Sequence, residues 1–114
     1  MLATINRLTS REDFARTTRS PIKASTESLT GYLLHDQALT TPKIGFIVTR
    51  SLGGAVTRHR ITRQLRHATK ASLTQLPQQS FVVVRAKKEP RAAIEIPSLF
   101  DALRQRSEKK VVER

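Results

Sequence analysis

The 114-residue sequence contains no cysteine and no tryptophan, and aromatic residues make up only 4% of it. The absence of cysteine excludes disulfides, thiolate metal ligands and a cysteine nucleophile, and it agrees with a reducing cytosol. A basic protein that binds a membrane surface needs a helix with a broad apolar face that includes tryptophan or phenylalanine. The shortage of aromatic residues therefore argues against that class of protein.

Long apolar runs and clustered metal ligands are missing as well. No apolar stretch approaches the ~20 residues of a membrane-spanning helix, and residues 1–7 lack the apolar core of a signal peptide. We therefore predict a cytoplasmic protein with no membrane partner. The three histidines have no i, i+4 spacing, and the carboxylates are scattered along the chain. These patterns predict neither a metal site nor a catalytic residue in the protein itself.

The most informative shortage is that of acidic residues in the middle of the chain. The 52 residues from Gln37 to Lys88 contain no aspartate or glutamate but ten lysines or arginines, and the whole chain has a net charge of +12. Because like charges repel, a folded surface normally mixes both signs, so a block of one sign predicts a surface for a polyanion. Nucleic acid is the expected partner, since each neutralised phosphate releases condensed counterions.

The hydrophobic pattern predicts one α+β domain over residues 1–104. The predicted elements are a helix at 10–18, strands at 26–35 and 43–49, a helix at 56–76, a strand at 80–86, and a helix that begins at Pro97 or Ser98. The first two strands are expected to form an antiparallel hairpin. This α-β-β-α-β-α order indicates a two-layer α-β sandwich with a small, mainly antiparallel sheet. The charged residues 105–114 are predicted to form a disordered tail.

The predicted helix at 56–76 has faces of different character. Ile61, Leu65 and Ala68 recur at helical spacing and form one apolar stripe, which we expect to be buried. A solvated helix face normally includes acids that pair with cations at i, i+4, and this helix has none. We therefore predict that its cations bind phosphates, and the excess of arginine over lysine favours a folded RNA. These cations are Arg58, His59, Arg60, Arg63, Arg66 and Lys70.

Residues 53–66, Gly-Gly-Ala-Val-Thr-Arg-His-Arg-Ile-Thr-Arg-Gln-Leu-Arg, resemble the signature of the protein subunit of bacterial ribonuclease P. That family shows Gly-Asn-Ala-Val-x-Arg-Asn-Arg-x-x-Arg-x-x-Arg after a strand similar to the one at 43–48 here. Further matches at 7–8, 13–14 and 81–87 extend the resemblance from residue 7 to about 104. The chain departs from the pattern where Gly54 and His59 replace asparagine.

The resemblance implies a fold, an activity and two binding surfaces. The fold would include a left-handed βαβ crossover at the arginine motif. The activity would be endonucleolytic removal of the 5′ leader from precursor tRNA, performed by a catalytic RNA with Mg²⁺, with the protein as a non-catalytic subunit. The residues that would bind the catalytic RNA are Arg50, Arg58, His59, Arg60, Arg63, Arg66 and Lys70. Those that would bind the leader in a cleft are Phe14, Tyr32, Phe46, Val48 and Arg50; a second cleft aromatic frequent in the family is replaced by Thr18.

Proteins of other classes could share this composition. A small basic ribosomal protein is the main alternative, although it would more often carry a long basic extension. A DNA-binding regulator would need asparagine or glutamine beside arginine on its recognition helix, where this chain offers only Gln64. A stand-alone nuclease would need converging carboxylates. The expected partners are therefore the catalytic RNA and precursor tRNA, without DNA.

Overall fold

The computed structural model describes residues 2–112, with side-chain surroundings for residues 2–108. Over this part of the chain it confirms the α+β class and adds one strand to the predicted order. The helices are α1 (Arg11–Thr18), α2 (Ala55–Ser72) and α3 (Ala92–Val112). The strands are β1 (Ile22–Ser25), β2 (Leu29–His35), β3 (Lys43–Ile47) and β4 (Ser80–Ala86). Short 3₁₀ helices occupy Thr4–Asn6, Arg50–Leu52 and Leu73–Gln75.

The four strands form one sheet in the order β1-β2-β4-β3. Strand β2 pairs antiparallel with β1 and β4, whereas β3 pairs with β4 in parallel. The predicted hairpin between β2 and β3 is therefore wrong, because β4 lies between them. The stretch Phe81–Val84 is apolar throughout and buried on both faces, which favours a central position. The parallel β3–α2–β4 connection is the predicted crossover, and its left-handedness stays a prediction.

One face of the sheet carries the main core. Side chains of all four strands meet the apolar stripes of α2 and α3 there, with Ile61, Leu65, Ile96, Leu99 and Phe100 fully buried. Gly31 lets α3 approach closely, since a Cβ atom at this position would lie 2.9 Å from Leu103 Cδ1. The two-layer sandwich predicted from the sequence thus consists of the sheet with α2 and α3.

Helix α1 lies on the other face, against β2 and β4. Ser10 caps it, with its Oγ accepting a hydrogen bond from the Asp13 N–H at 3.4 Å. Arg16 bonds to Asp13 at 3.2 Å and to Asp36 at 3.3 Å, and its guanidinium lies 5.7 Å from the centroid of the Phe81 ring. The Ala38 N–H and Arg16 lower the pKa of Asp36 by hydrogen bonding to its carboxylate. These contacts fix α1 to the end of β2.

Helix α3 begins at Ala92, five residues before the predicted start at Pro97. The cause is Glu95, whose carboxylate accepts hydrogen bonds from the Arg91 N–H at 2.8 Å, the Ser28 N–H at 2.8 Å and the Thr26 hydroxyl at 2.7 Å. These hydrogen bonds hold the first turn of α3 against the β1–β2 connection, and Pro97 lies inside the helix.

The predicted disordered tail is also wrong over residues 105–112, which continue α3. Ser107 is only 2% exposed, and its hydroxyl forms a hydrogen bond with Nε2 of His35 at the end of β2. The docking of this turn on the sheet explains why a charged segment is helical. Residues 113–114 lie outside the described part of the chain. No helix within residues 2–112 combines the length and apolar character needed to cross a membrane.

Replacing Glu95 with glutamine is expected to lower the free energy of unfolding at neutral pH by about 1–3 kcal/mol, because three hydrogen bonds to a charged acceptor are weakened. Burial raises the pKa of Glu95, but the hydrogen bonds from Thr26, Arg91 and Ser28 together lower it by more than burial raises it. The pKa of Glu95 therefore lies below the ordinary 4.5. The stabilisation is thus complete above pH 4.5 and is lost as pH falls through the depressed folded-state value.

Urea unfolding of the wild type and Glu95→Gln across this pH range measures the difference. The matched control is Glu27→Gln in the β1–β2 connection that Glu95 contacts, since the ion pair of Glu27 with Lys88 is exposed. A difference between wild type and Glu95→Gln that persists unchanged at acid pH would contradict the assigned role of the charge.

Candidate nucleic-acid interface

The segment between β3 and α2 makes a sharp turn built on two glycines. Gly53 has φ of 136°, in the region that favours glycine, and a Cβ atom there would lie 3.0 Å from Cβ of Thr57. Gly54 is the N-cap of α2 and provides no side-chain cap, and the first turn contains no acid. The beginning of α2 therefore presents free backbone N–H groups beside its arginines, which favours an anion.

Helix α2 separates apolar from basic residues as predicted. Ile61 and Leu65 are fully buried and Ala68 is 8% exposed, while His59, Arg60, Arg63 and Lys70 are exposed. One set of side chains lines a cavity of about 400 Å³, which we call the arginine pocket. Its lining comprises Val48, Arg58, His59, Thr62, Arg63 and Arg66. The structure thus brings four of the predicted RNA-binding residues together.

The remaining predicted RNA-binding residues lie around the arginine pocket. Arg50 is exposed in the 3₁₀ turn before α2, and Lys70 is exposed further along the helix; neither lines the pocket. Arg60 forms an exposed salt bridge with Glu89. It is the one α2 cation with an acidic partner among the described side chains, and Nε of Arg58 is buried without a hydrogen bond. The pocket therefore has uncompensated positive charge.

The second predicted surface lies between α1 and the sheet. The ring of Phe14 rests on the backbone of Gly45, where a Cβ atom would lie 2.2 Å from Cζ of Phe14. Tyr32 is half-buried in the same cluster, which also includes Ile47. The structure thus places the two predicted aromatic residues on one face of the sheet.

Two other residues predicted for this cleft, Phe46 and Val48, lie on the opposite side. Both pack against the main core, and Val48 also lines the arginine pocket. The reason is the alternation of side chains along β3: Ile47 belongs to the α1 side of the sheet, so its neighbours belong to the other side. Arg50 follows the strand in the turn and belongs with the approach to α2.

The strand register adds cations to the Phe14–Tyr32 face that sequence reasoning missed. Lys23 pairs across from Tyr32, and Arg85 lies between Thr30 and Ile47. Both cations are exposed. We call the set Lys23, Thr30, Tyr32, Ile47 and Arg85 the open sheet face. An aromatic ring flanked by cations suits a single-stranded nucleic acid, because bases stack on the ring while phosphates meet the cations.

No signal in the sequence pointed to Lys23, because β1 itself was not predicted. The position of Ile47 on the α1 side of the sheet could be predicted from the alternation of side chains along β3. Within residues 2–108, no three histidine, aspartate or glutamate side chains converge as metal ligands.

Comparison with known proteins identifies relatives along nearly the whole chain. A family model described as Ribonuclease P matches residues 2–109. The ribonuclease P protein component of Streptomyces griseus subsp. griseus is 40% identical over 94 residues, covering 75% of this chain and 76% of that protein. That of Mycolicibacterium vanbaalenii is 32% identical over 115 residues, covering 94% of this chain and 97% of that protein.

Solved structures show the same fold at lower sequence identity. The ribonuclease P protein of Staphylococcus aureus superimposes with a TM-score of 0.67 at 19% identity, covering 92% of this chain and 94% of that chain. The ribonuclease P protein of Thermotoga maritima gives a TM-score of 0.63 at 19% identity, covering 90% and 92%.

Proposed function

The chain belongs to the ribonuclease P protein family, and from this premise we propose that it binds two RNAs on two separate surfaces. It is the protein component of a tRNA-processing endoribonuclease, and the ribosomal alternative finds no support among its relatives. We assign the catalytic RNA to the arginine pocket and the 5′ leader of precursor tRNA to the open sheet face. A cytoplasmic location is part of the same proposal.

The observation that carries the proposal is the uncompensated charge of the arginine pocket. Arg58, His59, Arg63 and Arg66 converge on one cavity, and none of them has an acidic partner among the described side chains. Guanidinium groups fork onto phosphate oxygens, so the pocket suits a folded RNA backbone with closely spaced phosphates. Arg60 would exchange its exposed Glu89 partner for a phosphate, a change that costs little because exposed ion pairs are weak.

The open sheet face has a different character, which suits the leader. Its centre is the half-buried ring of Tyr32 on β2. Lys23 lies opposite Tyr32 on β1, and Arg85 lies on β4 opposite Thr30. Phe14 closes one side through its contact with Gly45. A single strand lying here would place bases on apolar atoms and phosphates near the cations, without base-specific readout.

Mg²⁺ is the cofactor implied by the family, and the residues described do not form a site for it. We propose that the RNA subunit holds the Mg²⁺ that supplies hydrolysis. The protein's own residues bind both RNAs and neutralise phosphates that would otherwise repel each other. Positive charge on the protein then replaces part of the cation atmosphere that the two RNAs need to associate.

Cleavage of precursor tRNA by the catalytic RNA is therefore expected to require less Mg²⁺ when this protein is present. The test measures cleavage rate against Mg²⁺ concentration for the RNA alone, the protein alone and the reconstituted holoenzyme. The holoenzyme curve should shift to lower Mg²⁺, and the protein alone should show no cleavage. An unshifted curve, or Mg²⁺-dependent cleavage by RNA-free protein, would refute the proposed division of labour.

A further inference from the structure

A second concavity, which we call the apolar groove, lies between α2 and the beginning of α3 and has a volume of about 760 Å³. Its apolar lining includes Ala68 and Ala71 from α2 and Pro90, Ile94 and Pro97 from the segment that starts α3. Ile94 is 66% exposed although it is a large hydrophobic residue. Since burial of such a side chain is favourable, this wall is suited to an apolar ligand surface.

The walls of the apolar groove are held in place before any ligand binds. Glu95 fixes the first turn of α3 to the β1–β2 connection through the Thr26 and Ser28 hydrogen bonds. The side chain of Gln75, just after α2, donates a hydrogen bond to the carbonyl of Pro97 at 3.2 Å. A groove with fixed walls costs little ordering entropy when a ligand enters it.

The rim of the groove is basic and continuous with the arginine pocket. Arg63, His67 and Arg91 line it, and none of the described residues that line it is acidic. Arg63 lines both the groove and the arginine pocket. An RNA strand bound in the arginine pocket would therefore lie next to the mouth of the groove, where Arg63 and Arg91 are available for the phosphates on either side of an unstacked nucleotide.

We propose that the apolar groove receives an unpaired nucleobase of the catalytic RNA, an inference that rests on the proposed RNA-binding role of α2. The flat apolar face of the base packs on Ile94 and the α2 alanines, and its flanking phosphates meet Arg63 and Arg91. The walls include no aromatic ring, so the contact is aliphatic packing together with guanidinium stacking. This contact adds an affinity component that does not depend on counterion release.

The first experiment compares salt-dependent binding of the catalytic RNA by the wild type and Ile94→Ser. Loss of the apolar contact should weaken binding roughly fivefold at every salt concentration, with an unchanged slope of log affinity against log salt. The matched control is Ile5→Ser, since Ile5 is 60% exposed in the N-terminal 3₁₀ helix and lies outside the groove; it should bind as the wild type does. Equal affinity of Ile94→Ser and the wild type would overturn the proposal.

The second experiment identifies the nucleotide by a cross-link, a step that does not depend on the folding of Ile94→Ser. A photoreactive benzophenone amino acid at position 94 should cross-link to one unpaired nucleotide of the catalytic RNA. Making that nucleotide abasic should weaken wild-type binding by the same factor as Ile94→Ser, and combining the two changes should add no further loss. Additive losses, cross-links to protein, or cross-links spread over many nucleotides would overturn the proposal.

The two levels of inference fail in different ways. If the wild type shows no salt-dependent binding of the catalytic RNA, the RNA-binding role of α2 is refuted and the groove proposal falls with it. If the wild type binds with the expected salt dependence while an abasic nucleotide at the cross-linked position has no effect, only the groove proposal is refuted.

Discussion

Replacing Arg58 and Arg66 together with alanine is expected to weaken binding of the catalytic RNA roughly a hundredfold near physiological salt, since two charge-assisted phosphate contacts are removed. Both side chains are half-buried in the wall of the arginine pocket and have no acidic partner among the described residues. Their guanidinium groups are thus already positioned in the free protein, so that little side-chain entropy remains to be lost on binding.

The slope of log affinity against log salt distinguishes this contact from general attraction by a protein of net charge +12. Removing two phosphate contacts should reduce the slope by about two. The matched control is replacement of Arg104 with alanine, an exposed cation of α3 paired with Asp101, which should leave the slope nearly unchanged. If the Arg104 variant changes the slope as much per charge removed, binding is diffuse and the pocket is not the interface.

The double variant of Arg58 and Arg66 requires a check of folding, because Nε of Arg58 is buried. Alanine at this position also removes a buried polar atom without a hydrogen bond, so the double variant should unfold at a temperature close to that of the wild type. A large fall in unfolding temperature would show that the arginines hold α2 in place, and the affinity loss would then need to be measured with Arg66→Ala alone.

The arginine surface could be predicted from the sequence because its signals are local. Ile61, Leu65 and Ala68 recur at helical spacing, so the direction of the cations on α2 follows from the burial of that stripe. The absence of acids from Gln37 to Lys88 is likewise visible without a structure. Periodicity could not predict that Val48 lies in the same pocket as the arginines, because this convergence depends on the turn at Gly53.

The errors concern features that depend on contacts distant in sequence. The four-residue strand β1 is too short for a clear alternating pattern, and it exists through its pairing with β2. Helix α3 begins at Ala92 because Glu95 accepts hydrogen bonds from Thr26 and Ser28. The local helix propensity of the segment before Pro97 gives no sign of these distant contacts. The placement of Phe46 with Tyr32 was avoidable, since alternation along β3 already separates Phe46 from Ile47.

The open sheet face shows how these errors affect the candidate site. With β1 missing and β2 paired to the wrong strand, the sequence could not place Lys23 beside Tyr32 or Arg85 beside Ile47. The resemblance to the family provided Phe14 and Tyr32, and the register supplied the cations around them. Together they form a surface with both requirements of single-strand binding, a stacking ring and neighbouring positive charge.

Replacing Tyr32 with alanine is expected to weaken binding of precursor tRNA by the holoenzyme about five- to a hundredfold when the leader is several nucleotides long, because one base loses its stacking partner. A substrate with a one-nucleotide leader should bind the variant and the wild-type holoenzyme equally, and assembly with the catalytic RNA should be unchanged, since Tyr32 lies on the open sheet face and outside the arginine pocket.

Tyr32→Phe is the matched control: it keeps the ring and should retain most of the affinity. Tyr32 tests the surface better than Phe14, whose ring packs on Gly45 and supports α1. Dissociation constants for both substrates provide the comparison, and equal losses with long and short leaders would place the leader elsewhere on the protein.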